Sequence, residues 1–127
     1  MPYIRQRTYK QNKDNKEYSY KKSKEWAEFY GSRAWSRLRD WKIRESPLCE
    51  VCLGLGKSTP AEHVHHLHVF RDAPTKEGKW DLFLDPANLA SLCSEHHHAI
   101  HNYLNNHGLT YASIDNLIHD IEQNNST

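Results

Sequence analysis

The sequence predicts a small α+β fold in which a metal knuckle ties two short strands to flanking helices. Three observations carry that expectation. Residues 62–70 alternate as a half-buried strand does, while the stretches before Pro47 and after Cys93 place apolar residues at helical spacing. Cys49 and Cys52 form a CxxC pair, and Cys93 and His96 repeat that spacing further along. Only 37% of the 127 residues are hydrophobic, a lean supply for a core, so a bound metal would carry part of the folding energy.

The elements follow in order. Residues 1–22 are polar, rich in Lys, Asn and Tyr, and lack periodicity, which reads as a basic flexible arm. Residues 23–46 form a helical lead-in: Trp26, Phe29 and Tyr30 cluster, Ser32 suits an N-cap, and Trp35, Leu38, Trp41 and Ile43 recur on one side. Arg33, Arg37, Arg39, Lys42 and Arg44 lie between them, available for phosphates or as a solvated face. The knuckle at Cys49–Cys52 comes next, in a turn. Glu62–Phe70 is the first strand, 71–87 mainly loop, and Asn88–Cys93 the second strand. Ser94 is placed to cap a helix over 95–104 that Gly108 ends, and 111–122 form a last amphipathic helix. The domain core is thus 47–107, with a C-terminal helix and tail over 108–127.

Composition excludes several classes. No apolar run approaches the ~20 residues of a membrane span. The basic start has no apolar stretch behind it, so a secretory signal is not expected. Three cysteines cannot pair off completely, and beside ten histidines they point to metal binding in a reducing compartment. Charge is divided: residues 1–44 carry 13 Lys/Arg against 5 Asp/Glu, and residues 45–127 carry 4 against 11, so +8 and −7 sum to +1. A basic first third suits a polyanion such as DNA.

Two constellations carry chemistry. Cys49, Cys52, Cys93 and His96 make a Cys3His set suited to tetrahedral zinc; iron, or an exposed CxxC beside a buried Cys93, are the alternatives. His97 and His101 are four apart and share a helix face, while His65 and His66 point to opposite faces of a strand. Three imidazoles with open coordination positions suit a catalytic ion. His63, His68 and His98 are reserves should the strand phase slip, and His107 and His119 have no partners in the pattern.

Here the chain resembles the HNH endonuclease family, especially small phage and prophage members with a zinc-bound ββα-metal (His-Me finger) core. The resemblance spans about Phe29 to Asn102, through FYGSRAWSRLRDWKIRESPLCEVCLGLGKSTPAEHVHHLHVF and LDPANLASLCSEHHHAIH. The family's letters fall on His66, Asn88 and His97. By this resemblance His66 is the general base, Asn88 fixes its ring, and His65, His97 and His101 hold the catalytic ion. Four departures from the common pattern stand out. His65 replaces an acidic ligand, Val69 a frequent Pro, His96 a frequent Cys, and Ile100 a usual Lys.

The resemblance implies a structural Zn2+ and one catalytic divalent ion, Mn2+, Ni2+, Mg2+, Co2+ or Zn2+, with magnesium the least suited to imidazoles. It implies nicking of DNA held mainly by its backbone, with 5′-phosphate and 3′-hydroxyl products. A monomer or weak dimer is expected, in the cytoplasm of a bacterial host, encoded by a phage or prophage. Phage terminase proteins are the partners such a role would bring. A non-catalytic zinc module that binds nucleic acid, a structural phage-assembly protein, and a restriction or mobile-element nuclease are the rival readings.

Overall fold

The computed structural model describes residues 20, 21 and 23–125, so the proposed arm lies outside the described residues apart from Tyr20 and Lys21. Helix α1 spans Lys24–Tyr30 and α2 spans Arg33–Glu45. Ser23 and Ser32 cap them, each hydroxyl accepting the amide of the residue three on, Trp26 at 3.1 Å and Trp35 at 3.2 Å. A short helix α3 (Glu50–Gly54) follows, then β1 (His63–His66), α4 (Lys76–Phe83), β2 (Leu89–Leu92), α5 (Ser94–His107) and α6 (Ile114–Asn125). The strands pair antiparallel, His63 opposite Leu92 and His66 opposite Leu89.

This two-stranded sheet divides two cores. On one side Cys49, Val51, Cys52, Leu92, Ile100, Leu104 and Leu117 pack around the knuckle. On the other, Phe29, Trp35, Phe70, Phe83 and Leu89 form an aromatic cluster. Such a ribbon is not stable alone and needs packing on both faces. At Gly54 the knuckle helix meets α6 so closely that a Cβ would clash with Ile118 Cδ1, and Gly108, at φ 62°, closes α5 in the left-handed conformation.

The structure corrects several expected boundaries. The first strand stops at His66 because the chain changes partner through Leu67: its amide still donates to Asn88 O at 2.8 Å, but its carbonyl accepts from Ala112 N at 3.3 Å and Val69 N donates to Thr110 O at 2.8 Å. The second strand begins at Leu89, since Pro86–Asn88 form a 3-10 turn capped by Asp85. Within the expected loop lies α4, whose Thr75 hydroxyl accepts the Gly78 amide at 3.0 Å. Trp80 stacks on Phe29 with ring centroids 4.0 Å apart, and Lys76–Glu28 and Lys79–Glu25 pairs at 2.9 and 3.1 Å bind α4 to α1. Cys93, not Ser94, is the N-cap of α5, and the Ser94 hydroxyl instead serves His63 and Glu62. The last helix starts at Ile114, where Ser113 and Asn116 cap each other reciprocally. The knuckle is a helical turn. Trp41, expected on the packed side of α2, is 40% exposed.

Candidate active site and metal centres

The knuckle residues converge. His96 Nδ1 lies 3.5, 3.3 and 3.4 Å from the sulfurs of Cys49, Cys52 and Cys93, and Cys52 and Cys93 sulfurs are 3.9 Å apart. A tetrahedron with ordinary zinc bond lengths has S–N and S–S edges of about 3.6 and 3.8 Å. The donor set therefore fits zinc in chemistry and in size, and all four residues are buried. Burial pushes the Cys93 thiol up to about 11, so its thiolate form calls for a cation beside it.

The second centre lies where β1 faces α5. Strand alternation sends His63 and His65 toward α5 and Val64 and His66 toward the aromatic cluster. His65, His97 and His101 bring one ligand nitrogen each to within 4.8 Å of the others, with His97 Nε2 and His101 Nε2 only 3.1 Å apart. His65 Nε2 is fully buried with no hydrogen-bond partner. A buried, orphaned imidazole nitrogen costs free energy unless something accepts its lone pair. A divalent ion fits that requirement. Burial, then the neighbouring charges of His101 and His97, pushes His65 down to about 2; burial and His101 likewise push His97 to about 4. Both rings are thus neutral, the form in which an imidazole can hold a metal. His63, one of the reserves, stacks on His97 at 4.4 Å and bonds Ser94 Oγ at 3.2 Å.

His66 belongs to the other face. Its Nε2 lies 2.9 Å from the Phe83 carbonyl oxygen, which can only accept, so Nε2 carries the proton and Nδ1 the lone pair. Burial pushes its pKa down to about 4, which keeps the ring neutral. Rings of Phe83, Trp35, Phe70 and Tyr30 surround it, at centroid distances of 4.8, 5.0, 5.2 and 6.3 Å. Asn88, 7% exposed, does not bond this ring. Its carboxamide accepts from His68 N at 2.8 Å and donates to His68 O and Leu82 O at 3.1 and 3.0 Å. It thereby staples the end of β1 to the residue preceding Phe83. Asn88, expected to orient the base through the backbone, bonds the backbone at His68 and Leu82, and the ring's own partner is the Phe83 carbonyl, which has no residue signature.

The cations of α2 do not share one fate. Arg33, Arg37, Arg39 and Arg44 are exposed, and among the described residues no ion pair engages them. At 3.6 residues per turn Arg33, Arg37 and Arg44 share a stripe about 40° wide, with Trp41 beside it and Arg39 well apart. Lys42 is different: its side chain is only 12% exposed and pairs with Glu50 at 3.3 Å. Glu50 in turn accepts the Ser91 amide at 2.5 Å on the outer edge of β2. Lys42 is thus held within the fold by Glu50.

Neither any protein-family model nor any curated protein matches the chain. Among solved structures it is similar to the HNH endonuclease of the deep-sea thermophilic bacteriophage GVE2, whose crystal structure includes a manganese ion. The two are 31% identical, the match covers 72% of this chain and 96% of that one, and the TM-score is 0.58. Among the described residues, no helix is long and apolar enough to cross a membrane. A shared fold at this identity over nearly all of the phage enzyme leaves one assignment: the chain belongs to the HNH endonuclease family.

Proposed function

We propose that the protein is a metal-dependent DNA endonuclease that nicks one strand per event. One observation supports this above the rest: an open three-imidazole cluster and a neutral imidazole with a free Nδ1 occupy opposite faces of one strand. His65, His97 and His101 would hold the catalytic ion. A divalent ion bound there supplies Lewis-acid stabilisation of charge on the scissile phosphate and the 3′ leaving oxygen. His66 Nδ1 takes a proton from water as that water attacks phosphorus in line, while the Phe83 carbonyl fixes the opposite nitrogen. The P–O3′ bond breaks, leaving a 5′-phosphate, and the departing oxygen gains a proton from solvent to become a 3′-hydroxyl.

Zinc holds the Cys3His knuckle in this reading. Manganese is the first candidate for the second centre, since the phage enzyme contains it and imidazoles suit it, nickel and cobalt better than magnesium. Arg33, Arg37 and Arg44 grip the backbone without reading sequence, with Arg39 as a lateral contact. The working division is a lead-in over 23–46, a nuclease core over 47–107 and a closing helix within 108–127. A phage or prophage origin, genome packaging beside terminase proteins, and action in the host cytoplasm complete the reading; gene neighbours separate it from restriction and mobile-element roles.

Supercoiled plasmid nicking tests it, with wild type and His66→Ala in magnesium, manganese, nickel or zinc, and in EDTA. The expected result is nicking that EDTA abolishes and His66→Ala lowers at least ~100-fold. DNA binding without cutting in any ion would make the chain a zinc-dependent binding module instead.

A further inference from the structure

The catalytic reading assigns no task to the lead-in helices beyond contact with DNA, yet they form one wall around His66. Trp35, 6% exposed, lies at the start of α2 and faces the imidazole at 5.0 Å with an interplanar angle of 29°. It touches the Phe83 ring at 4.8 Å as well, and Phe83 packs on His66 at 4.8 Å and 18°. Three rings thus contact one another pairwise, and Phe83 also supplies the carbonyl that accepts from Nε2. Tyr30, from the end of α1, stands edge-on to His66 and to Trp35, at 6.3 and 5.6 Å.

An imidazole held by one hydrogen bond can still turn about its Cβ–Cγ bond, which is a broad torsion. Turning sweeps the ring edge out of its plane. In that direction lie the faces of Trp35 and Phe83. Phe83 cannot hold the plane alone, because its ring and carbonyl move together at the end of α4. Trp35 is anchored separately, by the Ser32 cap that fixes the first turn of α2.

We propose that Trp35 is a positioning residue for the general base, holding the plane of His66 so that Nε2 stays on the Phe83 carbonyl and Nδ1 stays turned to the attacking water. This rests on the nuclease reading of His66. The lead-in is then part of the active site, and the core over 47–107 carries metal ligands without a fixed base. A displacement of the order of 1 Å at a reacting group costs about 100-fold in rate, so a loosened base should be visible in kcat.

The experiment compares Trp35→Leu, which fills space without a ring face, with Trp35→Phe, which restores one. Leu117→Ala, in the other core and far from His66 in the packing, provides a variant destabilised without touching the base. Each is assayed on plasmid with manganese at a temperature where circular dichroism shows it folded. The expected outcome is that Trp35→Leu lowers kcat ~10- to 100-fold with KM and manganese affinity within about threefold of wild type. Trp35→Phe should recover most of the loss, and Leu117→Ala should lose little. A KM effect alone, no recovery in Trp35→Phe, or an equal loss in Leu117→Ala overturns the proposal. A second readout needs no turnover: 15N spectra of the histidine rings should show a single Nε2–H tautomer for His66 in wild type and Trp35→Phe, and tautomer exchange in Trp35→Leu. Should wild type fail to cut, the nuclease reading falls while these spectra still decide whether Trp35 holds the ring; an unchanged tautomer in Trp35→Leu overturns that.

Discussion

Replacing Asn88 tests how the base is supported from beneath. Its carboxamide makes three hydrogen bonds to backbone groups, two at His68 and one at Leu82, from a position 7% exposed. Asn88→Ala leaves an amide and two carbonyls without these partners. Each buried polar group so stranded costs about 1–3 kcal/mol. Water reaches the part-buried His68, so a total of about 2–4 kcal/mol is expected, a large share of the ~5–15 kcal/mol that holds a domain folded. Asn88→Asp is the sharper probe. It keeps an acceptor for His68 N but turns both donated bonds into contacts between oxygens, so at pH 8 it should destabilise at least as much as alanine. Because Leu82 precedes Phe83, both variants should also loosen the carbonyl that holds His66 Nε2, lowering kcat ~10- to 100-fold in the fraction still folded. The assay is urea unfolding at fixed free zinc, paired with plasmid nicking at 20 °C. A loss below about 1 kcal/mol in Asn88→Ala, or an Asp variant more stable than the alanine one, refutes the bonding pattern.

Other consequences follow from the same geometry. Zinc removal should unfold the knuckle core, because the thiolates and His96 are its buried centre; chelator-driven zinc release should coincide with loss of far-ultraviolet ellipticity, and a zinc-free chain with unchanged melting would count against the site. Cleavage should persist well below pH 6.5. Burial holds His66 and His97 down to about 4, the neutral rings are the competent forms, and a bound cation shifts both the same way, so activity is lost only as pH falls toward those values. A single-turnover acid midpoint at or above the ordinary imidazole value would contradict this. Arg33→Ala and Arg37→Ala, made in a His66→Ala background, should each reduce the salt slope of duplex binding by about 1. Lys42→Met should leave that slope unchanged and cost up to about 1 kcal/mol of stability through loss of the Glu50 pair, as anisotropy titrations and urea unfolding would separately report.

The sequence made ligands legible and supports illegible, for a physical reason. Cys49, Cys52, Cys93 and His96 are recognisable because metal chemistry restricts residue types and spacings, and His97 with His101 because helix geometry puts residues four apart on one face. What fixes His66 is a carbonyl, and a carbonyl occurs at every position. Helix α4 was hidden by Pro74 and Gly78, ordinary turn signals that here precede and begin a helix capped by Thr75. Lys42 looked like its arginine neighbours because exposure is a tertiary property. The strand from Glu62 to Phe70 read as continuous since alternation continues past His66, whereas pairing passes to 110–112 after Leu67, whose amide still donates to Asn88 O.

That change of partner bears on how the site works. β1 is only four residues long, and its ends are held by different devices, Glu62 N on Leu92 O at one and the Asn88 staple at the other. Within it His65 and His66 are adjacent, so neither can shift along the strand without moving the other. In the proposed reading an ion on His65 would hold the strand from the knuckle-core side, while ring packing holds His66 from the aromatic side. The relative placement of the proposed ion and base would thus be set by one peptide unit, whose planarity is among the stiffest features of a chain. Variation in the segment over 71–87, which contains α4, is then tolerable wherever it leaves Phe70, Phe83 and Asn88 in place. The lead-in has less freedom. Its Trp35 must reach the His66 ring, whose backbone is already set by the strand.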